Sequence, residues 1–67
     1  VLPVKLEIFN VLGQKVRTLI QATQPAGIYR VSWDGTDDGR RLVSSGIYIY
    51  RLKAGDFVDM KRMVFLR

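Results

Sequence analysis

The sequence predicts a small all-β domain: an antiparallel β-sandwich of about six strands. Three observations carry that reading. Apolar and polar residues alternate through most of the chain, and no stretch holds helical apolar spacing over about ten residues. Turn signals punctuate the chain at Asn10–Gly13, Pro25–Gly27 and Gly55–Asp56. Aromatic residues share strand parity, Tyr29 with Trp33 and Tyr48 with Tyr50.

In chain order, Val4, Leu6 and Ile8 alternate with Lys5 and Glu7, the pattern of a half-buried strand. Asn10 and Gly13 then make a tight hairpin turn: the Asn side chain bonds backbone two residues on, and Gly accepts positive φ. Gln14 to Gln21 returns, and the odd spacing from Val16 to Leu19 predicts a bulge near Arg17 or Thr18. A loop follows to Gly27, and Ile28 to Asp34 reads as a strand with Tyr29, Val31 and Trp33 on one face. The connection from Gly35 to Gly46 is polar, with a short strand around Leu42–Val43. Ile47 to Ala54 is a central strand with Tyr48, Tyr50, Leu52 and Ala54 inward. Ile47 and Ile49 make its first half apolar on both faces. Gly55–Asp56 turns the chain, and Phe57 to Arg67 is the last strand, with a bulge at Lys61–Arg62 and a buried run from Met63 to Leu66.

Sixty-seven residues make one domain, residues 1–67, and no cysteine is available to staple it. A chain this short buries only about 60% of its unfolded surface, so marginal stability is expected. It opens on Val1 rather than Met, so we expect a module of a longer protein whose export signal, if it has one, lies upstream. No apolar run is long enough to span a membrane as a helix. The net charge of +5 is scattered, with Arg40–Arg41 and Lys61–Arg62 as the adjacent basic pairs, which fits a solvated sheet face rather than a nucleic-acid groove.

Histidine and cysteine are absent, which removes imidazole- and thiolate-based catalysis and zinc sites. Glycine-rich phosphate-binding patterns are missing too. No catalytic, cofactor or metal site is expected. Asp34, Asp37 and Asp38 invite a calcium test, but too few ligands are at hand for a shell of six to eight oxygens. We read Asp34 and Asp37 as acceptors for loop N–H groups, with Gly35 and Gly39 at positive φ. The aromatic set Tyr29, Trp33, Tyr48 and Tyr50 reads as core with polar tips at the rim, rather than as a stacking platform.

Assembled, these pieces resemble a known family. Phe9-Asn10-Val11-Leu12-Gly13, followed by Val16 and Leu19, is similar to a hairpin shared by two relatives. One is the C-terminal sorting domain of type IX secretion cargo, and the other is the FlgD-like immunoglobulin-like domain of the flagellar hook-capping protein. Pro25-Ala26-Gly27, Trp33-Asp34-Gly35, Ser45-Gly46-Ile47-Tyr48 and Tyr50-Arg51-Leu52 follow the family's order, so that the resemblance covers residues 4–67. The run Lys61-Arg62-Met63-Val64-Phe65-Leu66-Arg67 resembles its basic-then-apolar terminal strand.

The resemblance implies an immunoglobulin-like sandwich with Asn10, Gly13, Gly27, Trp33, Asp34, Gly35, Asp37, Ser45, Gly46, Tyr48, Tyr50 and Leu52 as structural positions. Two departures stand out: Gly39 directly follows Asp38 and Arg40 sits where the family has glycine, and only Leu2–Pro3 remains of the family's first strand. An absent first strand would leave an apolar groove or edge open to strand pairing or self-association. The function implied is non-catalytic sorting of an upstream passenger domain through outer-membrane secretion machinery, with residues 61–67 as the sorting strand. The protein would pass through the periplasm to the cell surface or exterior. The alternative is a structural spacer or assembly module, as in hook capping.

Overall fold

The structure is a computed structural model that describes residues 2–24 and 32–66, with only the backbone of Gln24. The described chain forms four strands: β1 (Leu2–Asn10), β2 (Lys15–Gln24), β3 (Gly46–Ala54) and β4 (Phe57–Phe65). They make one antiparallel sheet in the order β2-β1-β3-β4. Fewer strands appear than the expected six, and one sheet is described where a sandwich was expected. Two expected strands account for the difference. Ser32, Trp33 and Asp34 are not in a strand, and the rest of the Ile28–Asp34 segment lies outside the described residues, as does Pro25-Ala26-Gly27. The Leu42–Val43 strand is reduced to one bridge, Thr36 to Leu42, held by Asp37 N–H to the Arg41 carbonyl and Val43 N–H to the Gly35 carbonyl; past Asp37 the chain turns, with the Arg40 N–H on the Asp37 carbonyl and the Arg41 N–H on Asp37 Oδ1.

The alternating pattern sets two faces. Residues directly opposite across an antiparallel pair share a face. Ile8 lies opposite both Arg17 and Tyr50, Leu6 opposite both Ile20 and Leu52, and Tyr48 opposite Met63. On this first face Ile8 is 2% exposed and Tyr48 7%, so the inward parity read for β3 is present where the loop covers it. The second face carries Lys5, Glu7, Phe9, Ile49, Arg51, Met60 and Val64. Of these, Met60 and Val64 are exposed. One-sided cover corrects the expected buried run at the C-terminus: Met63 and Phe65 are half-buried, while Val64 and Leu66 point away into solvent.

The expected β2 irregularity is present as two bulges. Leu19 is extra between the pairs Leu6–Ile20 and Glu7–Thr18, and Val16 between Ile8–Arg17 and Phe9–Lys15. They flank the Arg17–Thr18 step named from sequence. The bulge expected at Lys61–Arg62 is absent: β3 and β4 pair without a shift from Ala54–Phe57 to Gly46–Phe65. There the basic pair simply alternates faces. The Gly55–Asp56 turn has Gly55 at φ +60, as a two-residue hairpin loop with glycine first requires.

Candidate functional site

Three places stand out, two of them built from residues singled out from sequence. The first is the β1–β2 turn. Asn10 Oδ1 accepts from the N–H of Leu12 and of Gln14, both at 3.0 Å, and its Nδ2 donates to Gln14 Oε1 at 2.9 Å. The Gly13 N–H donates to the Asn10 carbonyl at 3.0 Å, with Gly13 at φ +80. Asn10 therefore closes the turn with its side chain and backbone together.

The second is the segment ahead of β3, residues 32–45, whose Trp33 lies against the first face of the sheet. Trp33 packs on Tyr48 with ring centroids 5.1 Å apart and edge-on, and on Phe65 at 5.0 Å. Its indole N–H donates to the Thr36 carbonyl at 2.8 Å, and the Tyr48 hydroxyl donates to the Ser44 carbonyl at 2.7 Å. These aromatics are packing residues with their polar tips satisfied, not a flat platform. Tyr50 and Leu52 are half-buried on the same face, and Ser45 is exposed just before Gly46 opens β3. Tyr29 and Gly27 lie outside the described residues.

Each aspartate of the loop holds backbone. Asp34 Oδ1 accepts from the Thr36 N–H and from Arg17 Nη1, both at 3.1 Å, and Arg17 also bonds the Thr36 hydroxyl. The Thr36 hydroxyl bond to Asp34 comes first among the causes that lower its carboxyl below the ordinary value, with the Arg17 charge adding to it; burial opposes the shift. Asp37 Oδ1 accepts from the Arg41 N–H at 3.0 Å. Asp38, which sequence reading left without a role, straps the loop to β2: its N–H donates to the Val16 carbonyl and its carboxylate accepts from the Thr18 N–H, both at 3.0 Å. Among the described residues, no group of three acidic side chains is placed to hold a metal ion.

Positive φ falls on Gly35 at +78 but not on Gly39. Arg40 takes φ +66 instead, at the position where the family resemblance expects glycine. Gly35 serves a second purpose that sequence did not disclose. A Cβ there would lie 2.1 Å from Phe65 Cζ, so the Phe65 ring occupies the space a side chain would need.

The third place is Glu7, on the second face. It reads as an outward residue by alternation, yet it is 5% exposed. Arg51, directly opposite on β3, donates from Nη2 to Glu7 Oε1 at 2.6 Å, and Lys5 Nζ lies 3.6 Å from Oε2. Arg51 also lies over Phe9, 5.2 Å from the ring centroid. Long cationic side chains thus cover the carboxylate with their stems. The hydrogen bond from Arg51 lowers the Glu7 carboxyl below its ordinary value; burial opposes this, and the Lys5 and Arg51 charges add to it. Alternation places Glu7 and Arg51 each on the outward parity of its own strand, but nothing in the sequence pairs the two strands in the register that joins them.

The chain's two ends, expected to carry function, stand differently. Leu2–Val4 is paired with β2, and Val4 also pairs with Ala54, so β1 is an interior strand. Pro3 is tolerated near the start of β1, where its carbonyl accepts from the Gly55 N–H at 3.0 Å. The edges of the described sheet are β2 and β4. On β4, Lys61 and Arg62 are exposed, and Arg67 lies outside the described residues.

A family model for the FlgD Ig-like domain matches residues 2–56. No curated protein and no solved structure matches the chain. The match runs from the start of β1 through the turn after β3, taking in both the Asn10 hairpin and the aspartate loop, and it ends before β4.

Proposed function

Because the chain belongs to the FlgD immunoglobulin-like domain family, we propose that it works as a structural, non-catalytic spacer or assembly module of an exported protein. The observation that carries this reading is the match across residues 2–56. The geometry supports it: the loop aspartates are occupied in holding backbone, and the aromatics in packing. Such a domain acts through its surfaces and through the rigid spacing it provides. No helix among the described residues is long and apolar enough to cross a membrane.

Sorting through type IX machinery remains the finer of the two expectations, and the family match lends it no support. Its proposed strand, residues 61–67, lies beyond the matched span. An in-frame deletion of this domain from its parent protein separates the two. The assembly reading expects the parent to be exported normally but to fail in building its structure outside the cytoplasm. Accumulation of the parent in the periplasm, reproduced by removing residues 61–67 alone, would overturn assembly in favour of sorting.

A further inference from the structure

The strand β4 is an edge with no described neighbour on its outer side; its protection against pairing is the charge on Asp59, Lys61 and Arg62, which a partner of matching charge pattern would neutralise. It has no proline or glycine, and it is nine residues long with no bulge. Exposed apolar side chains stand along it: Phe57 (59%), Val58 (52%), Met60 (57%) and Val64 (68%).

We propose that β4 pairs antiparallel with β4 of a second copy of this chain, about a two-fold axis at Met60. The hairpin geometry and the charges select that register together. Ala54 and Phe57 flank a two-residue loop and so exchange backbone bonds with each other. Alternation along β4 then turns Phe57, Asp59, Lys61, Met63 and Phe65 toward β3, and Val58, Met60, Arg62 and Val64 outward. Joining the outward groups of two copies places Met60 opposite Met60 and Val58 opposite Arg62, with about six backbone hydrogen bonds.

In that register Asp59 of each copy stands opposite Lys61 of the other, in the closer, non-hydrogen-bonded type of pair. Phe57 meets Met63 on the same face. Sliding the register by two residues in one direction sets Lys61 against Lys61, and in the other direction Asp59 against Asp59. Like charges directly opposite destabilise a pair, so the Met60-centred register is the one the charges favour among these three. The result is one continuous sheet through both copies. The inference does not rest on the assembly reading, since it uses only the β4 edge.

The test uses the 67-residue chain, which has no cysteine of its own. Facing Met60 residues place their Cα atoms about 5.5 Å apart, within disulfide reach. Met60→Cys should therefore cross-link to a covalent dimer under mild oxidation, while Val64→Cys, far from the axis, should not. Sedimentation equilibrium should show a reversible dimer. Lys61→Asp should weaken it about tenfold, because it replaces two attractive pairs with two repulsive ones. Asp59→Lys with Lys61→Asp should restore it to within about threefold of the native chain, since the pairs are re-formed with signs exchanged. Circular dichroism confirms that each variant keeps its sheet. A native chain that stays monomeric to millimolar concentration overturns the proposal. So does equal cross-linking of both cysteine variants, or a double variant no tighter than Lys61→Asp.

Discussion

Replacing Gly35 with alanine should destabilise the domain by about 2–5 kcal/mol, and two separable effects sum to that figure. Holding an L-residue in the left-handed region costs about 1–2 kcal/mol, and Gly35 sits at φ +78. The added Cβ would also lie 2.1, 2.6 and 2.8 Å from three atoms of the Phe65 ring. Contacts that short force the ring to move, and inserting atoms into a packed site costs about 1–3 kcal/mol. Against a total stability of about 3–10 kcal/mol for a chain of this size, most of the folded margin is at stake. Urea unfolding followed by Trp33 fluorescence is a direct readout, because Trp33 is the chain's one tryptophan and packs on Phe65. Phe65→Ala supplies the control: once the ring is gone the steric part vanishes while the backbone part stays. The two substitutions together should cost less than their sum by about 1–3 kcal/mol. A Gly35→Ala loss below about 0.5 kcal/mol, or strict additivity with Phe65→Ala, would refute the close approach of ring to backbone.

Glu7→Gln should cost about 1–2 kcal/mol. That is more than an exposed ion pair is worth, and less than a fully buried one because Lys5 and Arg51 are still 41% and 40% accessible. The folded-state pKa of Glu7 is depressed, so its contribution is fully present above the unfolded value of about 4.3 and is lost as pH falls through the lowered folded value. Melting temperatures of native and Glu7→Gln chains should accordingly converge on the acid side and differ most near neutrality. Arg40→Gly relieves a left-handed arginine at φ +66, partly offset by glycine's greater unfolded-state freedom. A net gain of about 0.5 kcal/mol should appear as a rise of about 2–4 °C in Tm by calorimetry. Asn10→Ala removes the acceptor shared by the Leu12 and Gln14 N–H groups and should cost about 1–2 kcal/mol in chemical denaturation, whereas Gln14→Ala, which loses a single exposed contact, should cost under about 0.5 kcal/mol.

Strand identity and inward parity were legible where short-range pattern decides them. Val4, Leu6 and Ile8 could be placed on one face because alternation has one solution once that face is buried. The Asn10–Gly13 turn was legible because its hydrogen bonds close within four residues. What failed depends on contacts distant in the chain. Trp33 has the composition of a strand residue, yet its backbone is in a loop, since its indole meets Tyr48 and Phe65 from above the sheet. Glu7 looks like a solvated residue until register places Arg51 opposite it, 44 positions away. Gly35 reads as turn glycine alone, because nothing nearby in sequence announces the Phe65 ring. Gly39 was credited with the positive φ that Arg40 holds. There the loop's hydrogen bonds, Arg40 N–H to the Asp37 carbonyl and Asp37 N–H to the Arg41 carbonyl, outweigh the local preference for glycine.

The two edges of the sheet are managed in opposite ways, and the loop is the reason. At β2 the bulges at Val16 and Leu19 break the regular spacing of outward N–H and C=O groups. Asp38 then occupies two of them, taking the Thr18 N–H on its carboxylate and giving its own N–H to the Val16 carbonyl. Arg17 adds a second fastening through Asp34 and Thr36. An arriving strand would have to displace all of these before it could pair along residues 16–18. At β4 the register runs unbroken and no described hydrogen bond reaches its outer side. A domain that joined partners indiscriminately through strand addition would have no use for such a one-sided arrangement. Because the loop that carries Trp33 onto the sheet also fastens residues 16–18 of β2, packing the aromatic cluster and occupying that part of the edge happen together, while β4 has no described hydrogen bond on its outer side along its whole length.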